Sequence, residues 1–318
     1  MTAERRSWWQ RLKTPASLLL SVVIVGIAGW GLRAALRHVN FHSVLAALND
    51  LSIEKIAWSA LFTFGSFLAI SGQEYFALKT AGRPLPYHRA AFGSFLAQSV
   101  SHSTGYSFAV GAGLRYRFYS LFGVTLGDVA REQASFTGTL ALAITLQVAA
   151  SLLLHPALAD HVVRLPQDLI RGVGAFGLVV GLTLIALTLR RKIDVFGYHV
   201  EPPPFRYILP QVVCSVLDLC CLAAAAWTML PAELHATYPS ILAIGMVSFL
   251  LATASSVPGG LGVFESSILF LTAPGRDLAA PTIGALVAFR AIYYLVPLAL
   301  GLLALAALEL WRKRHHFT

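Results

Sequence analysis

The stretch Ala254-Ser-Ser-Val-Pro-Gly-Gly-Leu-Gly262 interrupts an apolar segment that extends over residues 239–273. Its proline and glycines break a helix, because proline lacks a backbone N–H and glycine loses the most conformational freedom on ordering. Irregular backbone at membrane depth is tolerated only where it is buried in protein or lines a cavity. The stretch therefore predicts a re-entrant helical hairpin, with an apolar helix on each side of the break.

Residues 90–121 form a second interrupted segment. This segment is apolar enough to enter a membrane, but Ser103-Thr-Gly105 and further glycines and serines divide it. Two interrupted segments in corresponding positions are typical of transporters built from inverted repeats, with a binding site near the bilayer midplane. We therefore predict two opposed re-entrant hairpins and an inverted repeat.

The rest of the chain has the composition of a membrane protein. Hydrophobic residues make up 57% and charged residues 12% of the 318 residues, and the mean hydropathy is +0.69. Soluble domains carry about 25% charged residues, and about 20 apolar residues cross a bilayer as a helix. We predict an all-α polytopic membrane protein, a single domain over residues 1–318, with six spanning helices at 17–36, 55–78, 133–154, 168–189, 207–230 and 281–310.

Basic residues are concentrated at 1–16, 79–89, 190–206 and 311–318. Because cytoplasmic loops are enriched in lysine and arginine, we predict a bacterial inner-membrane protein with both termini in the cytoplasm. This orientation requires the first hairpin to open to the cytoplasm and the second to open to the outside. Anionic lipid headgroups account for the net charge of +9, and we predict no nucleic-acid partner.

Charged side chains at membrane depth cost about 2.5–3.5 kcal/mol each on insertion scales, so each one needs a reason. Arg290 lies inside the last span, and Tyr293 and Tyr294 share its helix face because they follow at i+3 and i+4. Glu265, just after the second break, is the predicted counter-ion. This group is either a buried pair that holds the hairpin or a contact for a lipid headgroup.

A second set of arginines lies near the end of the interrupted segment 90–121. Arg115 and Arg117 flank Tyr116, and paired guanidiniums suit a phosphate because each can bind it through two hydrogen bonds. The alternative is ordinary anchoring at the cytoplasmic face. The backbone N–H groups of Gly259 and Gly260 are predicted to bind the same kind of anion.

Several acids complete the candidate site. The spacing of Asp128, Arg131 and Glu132 places them on one helix face, where they can neutralise one another or the arginines. Glu74 and Asp218 are candidate partners for a headgroup amine or counter-ions for the arginines.

The sequence lacks the motifs of common catalytic and cofactor sites. It contains no Walker-type phosphate loop, no dinucleotide glycine motif and no cysteine–histidine metal spacing, so no cofactor and no metal are predicted. The three cysteines, Cys214, Cys220 and Cys221, lie in one apolar stretch as small packing residues. The nearest approach to a nucleophile with a base is His102 beside Ser101 or Ser103, which is a weak pattern.

Two stretches resemble a known family. Gly113-Leu-Arg-Tyr-Arg-Phe-Tyr-Ser-Leu-Phe-Gly123 and Ser255-Ser-Val-Pro-Gly-Gly-Leu-Gly-Val-Phe-Glu265 resemble the N-terminal flippase part of the multiple peptide resistance factor, a bacterial lysylphosphatidylglycerol synthase/flippase. The second stretch also recurs in a broad group of uncharacterised bacterial membrane proteins. The resemblance implies lipid translocation without the family's cytoplasmic synthase domain, and it assigns Arg115, Arg117 and Glu265 to the site.

The sequence thus predicts a phospholipid flippase of the inner membrane. Its expected substrate is aminoacylated phosphatidylglycerol, such as lysylphosphatidylglycerol, and its expected role is resistance to cationic antimicrobial peptides. Membrane phospholipids, a separately encoded synthase and further copies of the chain are the predicted partners. Two alternatives stay open: a membrane-embedded lipid-modifying enzyme, and a non-transporting membrane partner of such a synthase.

Overall fold

The computed structural model describes residues 51–102, 107–156, 165–189, 193–195, 198–200, 203–255 and 262–315. These residues are overwhelmingly helical, apart from a short antiparallel pair of strands, β1 (Ile193–Val195) and β2 (Tyr198–Val200). The α-helices are α1 (Ile53–Thr80), α2 (Tyr87–Ser101), α3 (Ser107–Tyr119), α4 (Leu126–Leu154), α5 (Gln167–Leu187), α6 (Phe205–Met229), α7 (Tyr238–Ser255), α8 (Val263–Thr272), α9 (Arg276–Arg290) and α10 (Val296–His315).

Three short helical turns lie between these α-helices. Ser120–Phe122 and Ala232–Leu234 are 3-10 turns, and Ala291–Leu295 is a π-helix that joins α9 to α10. A π turn inside a helix is rare and is often found at a functional site.

Five predicted spans are confirmed as helices that are long and apolar enough to cross a membrane. They are α1, α4, α5, α6 and the segment Asp277–Leu308, which covers most of α9 and α10. The sixth predicted span, 17–36, and the basic N-terminus, 1–16, lie outside the described residues. The fold is therefore that of a helical polytopic membrane protein, as predicted.

Both interrupted segments form two short helices that pack against one another. The first segment gives α2 and α3, and the second gives α7 and α8. At 15 residues α2 extends about 22 Å, and at 10 residues α8 extends about 15 Å, both less than the hydrocarbon core of about 30 Å. The breaks themselves, 103–106 and 256–261, lie outside the described residues, and the face to which each hairpin opens stays a prediction.

A seam of small residues joins α1 to α6. A Cβ atom on Gly72 would lie 2.9 Å from Cys214 Sγ, and one on Gly65 would lie 3.2 Å from Cys221 Sγ. Farther along, the Ser59 hydroxyl donates a hydrogen bond of 3.0 Å to the Ala225 carbonyl. Small residues let membrane helices approach closely, which explains why Cys214 and Cys221 lie in this helix and confirms their predicted packing role.

Amide side chains fasten α4 to this pair. Gln73 Nε2 on α1 donates a hydrogen bond of 2.9 Å to the Phe136 carbonyl, and Gln147 Nε2 donates one of 3.0 Å to the Val216 carbonyl on α6. Such bonds between membrane helices contribute about 0.6 kcal/mol on average. Hydrogen bonds from polar side chains therefore join α1, α4 and α6 into a core, and both hairpins lie against this core.

Candidate functional site

The predicted pair of Glu265 and Arg290 is present at the second break. Arg290 Nη2 lies 3.0 Å from Glu265 Oε2, and Arg290 Nε contacts the other carboxylate oxygen. The Gly262 N–H also donates to Glu265 Oε2 at 2.9 Å, so the same carboxylate caps the start of α8. Gly262 has a φ of 78°, in the left-handed region that favours glycine. Each side chain of the pair is 12% exposed.

The π turn places two tyrosines beside this pair. The Arg290 guanidinium lies 5.2 Å from the centroid of the Tyr294 ring, a cation–π geometry. The Tyr293 hydroxyl lies 2.7 Å from Ser66 Oγ, and Ser66 Oγ donates to Asp218 Oδ1 at 2.5 Å. Asp218 therefore joins the site through its hydrogen bond with Ser66, and its role toward a headgroup amine stays a prediction.

The edge of the first break also lies beside the π turn. His102, which follows α2, stacks against Tyr293 with ring centroids 6.5 Å apart and an interplanar angle of 10°. Its ring also lies 6.2 Å from Phe67 and 6.5 Å from Tyr294. The edges of both breaks thus meet at the π turn. We call this group the tyrosine site; it consists of Ser66, His102, Asp218, Glu265, Arg290, Tyr293 and Tyr294.

Among the described residues, the surroundings of His102 are aromatic. Its ring lies among the aromatic rings of Phe67, Tyr293 and Tyr294. The hydroxyl of Ser101 donates to Gln98 Oε1 at 3.4 Å, and Ser103 lies outside the described residues. The enzyme alternative therefore gains no support from this histidine.

A second cluster of charges lies between α1, α3 and α4. Arg115 donates to Glu74 through Nε at 2.9 Å and 3.0 Å and through Nη2 at 2.7 Å. Its Nε also lies 3.6 Å from Glu132 Oε2. The Tyr119 hydroxyl lies 2.9 Å from Glu74 Oε1. Arg115 is 1% exposed, and the other three are fully buried. We call Glu74, Arg115, Tyr119 and Glu132 the buried acid cluster.

The structure does not bring Arg115 and Arg117 together. Arg115 points into the protein, whereas Arg117 and Tyr116 are exposed. Residues two apart on a helix do not face the same way, so the two guanidiniums do not form one phosphate grip here. Arg115 instead pairs with Glu74, which takes the counter-ion role, one of its two predicted alternatives. Gly259 and Gly260 lie outside the described residues.

Asp128 and Glu132 also take different roles. Asp128 forms a capping box with Thr125 at the start of α4 and accepts a 2.8 Å bond from Arg83 Nε. It also contacts Arg131, which confirms the predicted neutralisation between these two. Glu132 instead points to the protein interior, toward Arg115. Asp128 and Arg131 therefore organise a helix start and do not contribute to either charged cluster.

Two residues of these clusters, and a glycine that packs against one of them, were missed in the sequence. Ser66 lies in the small-residue run of α1, and Tyr119 lies in the quoted stretch Gly113–Gly123, but neither carries a charge. Gly93, which faces Tyr119, is one of the glycines of the first interrupted segment. A search for small or phenolic residues near buried charges could have found all three.

No family model matches the sequence. The uncharacterized protein slr0712 of Synechocystis sp. is 25% identical over 308 residues, which cover 96% of this chain and 95% of that protein. The inner membrane protein YbhN of Escherichia coli is 24% identical over 288 residues, 87% of each chain. With the five spans, these similarities support a multi-pass inner-membrane protein. Neither similarity is to the multiple peptide resistance factor, so the resemblance to that family stays a prediction.

Proposed function

We propose that this protein is a phospholipid translocase that moves aminoacylated phosphatidylglycerol, such as lysylphosphatidylglycerol, between the leaflets of the inner membrane. The observation that carries the proposal is the Glu265–Arg290 pair at the tyrosine site. It combines both signs of charge at membrane depth with the edges of two broken helices and a π turn. Ionisable groups inside a membrane commonly mark a substrate pathway.

The chemistry of the pair matches a headgroup that carries both charges. A guanidinium binds a phosphate through two hydrogen bonds, and a carboxylate binds an ammonium. An aminoacylated phosphatidylglycerol offers a phosphodiester to Arg290 and a lysyl ammonium to Glu265. The two side chains would exchange one another for the phosphodiester and one ammonium of the headgroup, and the second ammonium of a lysyl headgroup would meet the face of Tyr294.

The tyrosines fit the same ligand. The Tyr294 face that now receives Arg290 can receive an ammonium by the same cation–π attraction. Moving a cationic lipid to the outer leaflet would lower the negative charge of the cell surface. Resistance to cationic antimicrobial peptides is the physiological consequence that we propose.

Reconstitution in liposomes tests the proposal. Wild-type protein is expected to move fluorescently labelled lysylphosphatidylglycerol between leaflets faster than empty liposomes do. Glu265→Gln and Arg290→Lys are expected to lose this activity. The control is the exposed ion pair between Asp168 and Arg171 on α5, whose variants Asp168→Asn and Arg171→Lys should transport normally.

Three outcomes contradict the proposal, and each has a different meaning. Leaflet exchange equal to that of empty liposomes removes the transport function. A new lipid species in the mass spectrum of the membranes favours the enzyme alternative. Copurification with a synthase, without any leaflet exchange, favours the non-transporting partner.

A further inference from the structure

We propose that Glu74 and Glu132 hold one proton between them, so that the buried acid cluster is a proton-binding site inside the membrane domain. The cluster is separate from the tyrosine site, and none of its members belongs to the proposed lipid contact. The proton site itself does not depend on the proposed function. Its coupling to lipid movement, described at the end, rests on that function.

The first argument is the charge of the cluster. Two carboxyl groups face one guanidinium, and each of these side chains is at most 1% exposed. With both acids ionised, the cluster would carry one net negative charge at a position closed to solvent. An uncompensated buried charge is so costly that the group takes up a proton instead. One proton makes this cluster neutral.

The second argument is the hydrogen bonding of Glu132. Arg115 directs its hydrogen bonds to Glu74, and the closest Arg115 nitrogen lies 3.6 Å from Glu132, beyond hydrogen-bond length. Among the described residues, neither oxygen of Glu132 receives a hydrogen bond. A buried acceptor left in this state costs about 1–3 kcal/mol. The Glu132 carboxyl lies beside that of Glu74, so a proton on Glu132 turns it into a donor to Glu74.

The groups around Glu132 support this assignment. The titratable and charged side chains that face it in the described part of the chain are Glu74 on α1, and Arg115 and Tyr119 on α3. Arg115 is the one cation among them, and Glu74 already neutralises it. The Tyr119 hydroxyl can donate to Glu74 or to the Ala90 carbonyl, 3.1 Å away. Neither group provides a hydrogen bond to Glu132.

A short route connects this proton to the tyrosine site. A Cβ atom on Gly111 would lie 3.0 Å from Arg115 Nη1 and 3.5 Å from Ser101, and the ring of the next residue, His102, stacks on Tyr293. We therefore expect a change of charge in the buried acid cluster to alter the electrostatic potential at the π turn, with His102 as the one intervening side chain. This arrangement would let proton binding bias the geometry of the lipid contact.

Infrared spectroscopy of the purified full chain in lipid nanodiscs tests the proton site. Wild-type protein at neutral pH should show a carbonyl stretch of a protonated carboxylic acid that shifts in heavy water. Glu132→Gln should lose this band, because glutamine lacks the acid group. The variant should still fold, because glutamine has the same shape as the protonated acid and is also neutral. Glu54→Gln, at an exposed position on α1, should keep it.

A second measurement needs no variant. Wild-type protein grown with carboxyl-labelled glutamate should shift the band, which excludes Asp218 as its source. The proposal is overturned if labelled wild-type protein shows no shifted acid band, or if Glu132→Gln folds and keeps the band.

A pH gradient across the liposomes tests the coupling. Wild-type transport should change with the sign of the gradient, and Glu132→Gln should transport at one rate in either direction of the gradient. An equal gradient response in both proteins overturns the coupling. Absence of transport in both, with the infrared band intact, overturns the proposed function and leaves the proton site standing.

Discussion

The tyrosine site and the buried acid cluster use the same residue types in two different settings. Each joins an arginine to a glutamate next to a tyrosine, and each lies beside an interrupted segment. The Glu265–Arg290 pair is partly exposed, whereas Glu74 and Arg115 are sealed and Arg115 contacts a second acid. Exposure and charge count therefore distinguish the pair that we propose exchanges partners with a lipid headgroup from the cluster that we propose holds a proton.

The largest effect is expected where the comparison is sharpest, at Arg115. Arg115→Ala should destabilise the protein by about 3–5 kcal/mol, because it leaves the acids of the cluster without their cation. The yield of folded, monodisperse protein and its melting temperature in detergent measure the loss. Arg117→Ala, two residues away and exposed, should change stability by less than about 0.5 kcal/mol. Equal losses in both variants would contradict a special role for Arg115.

Gly93→Ala should have the next largest effect on the buried acid cluster. A Cβ atom there would lie 2.6 Å from Tyr119 Cζ and Oη, so the tyrosine must move away from Glu74. Overpacking of this kind costs about 1–3 kcal/mol. Gly113→Ala, with nothing within 4 Å of its added Cβ, is the matched control in the same hairpin. A melting temperature that Gly93→Ala leaves unchanged would argue against the tight packing of Tyr119.

Arg290→Lys should lower transport activity more than stability, in contrast to Arg115→Ala. Lysine keeps the charge but loses the two-bond grip, and hydrogen bonds to charged groups are worth about 1.5–3 kcal/mol. Lipid transport should fall about tenfold or more, while the melting temperature changes less than in Arg115→Ala. A variant that transports normally would place the lipid contact elsewhere.

Tyr293→Phe should give the smallest effect. It removes the hydroxyl that lies against Ser66 and keeps the ring that stacks on His102. One hydrogen bond contributes about 0.5–1.5 kcal/mol, so a shift of a few degrees in melting temperature is expected. Ser66→Ala removes this contact and also the hydrogen bond to Asp218, so it should cost more than Tyr293→Phe, and a double variant should add little to Ser66→Ala.

Much of the architecture was predictable, because a bilayer imposes a length on each apolar helix. The five described spans and both interruptions are where the sequence predicted them. The pairing of Glu265 with Arg290 was also predicted, because a charge after a break and a charge inside the adjoining span have few other partners. These features depend on local composition, which a single sequence contains.

Which of the candidate acids would pair with Arg115 could not be predicted in the same way. Glu74 is 41 positions away on another helix, and the rotation of each helix about its axis decides which acid an arginine meets. The spacing of Asp128 and Glu132 suggested one face, but capping at Thr125 holds Asp128 at the start of α4. The π turn was equally hidden, because no residue in Ala291–Leu295 marks it.

That π turn has a consequence for the phase of the last span. A turn with one extra residue rotates everything after it by about 100° about the helix axis, relative to an uninterrupted α-helix. Ser99 on α2 lies against Gly301 of α10 so closely that an added Cβ would overlap it. If the π turn changed to α-helix, α10 would rotate about its axis against α2 of the first hairpin. Deleting one residue from Ala291–Leu295 would fix that rotated phase.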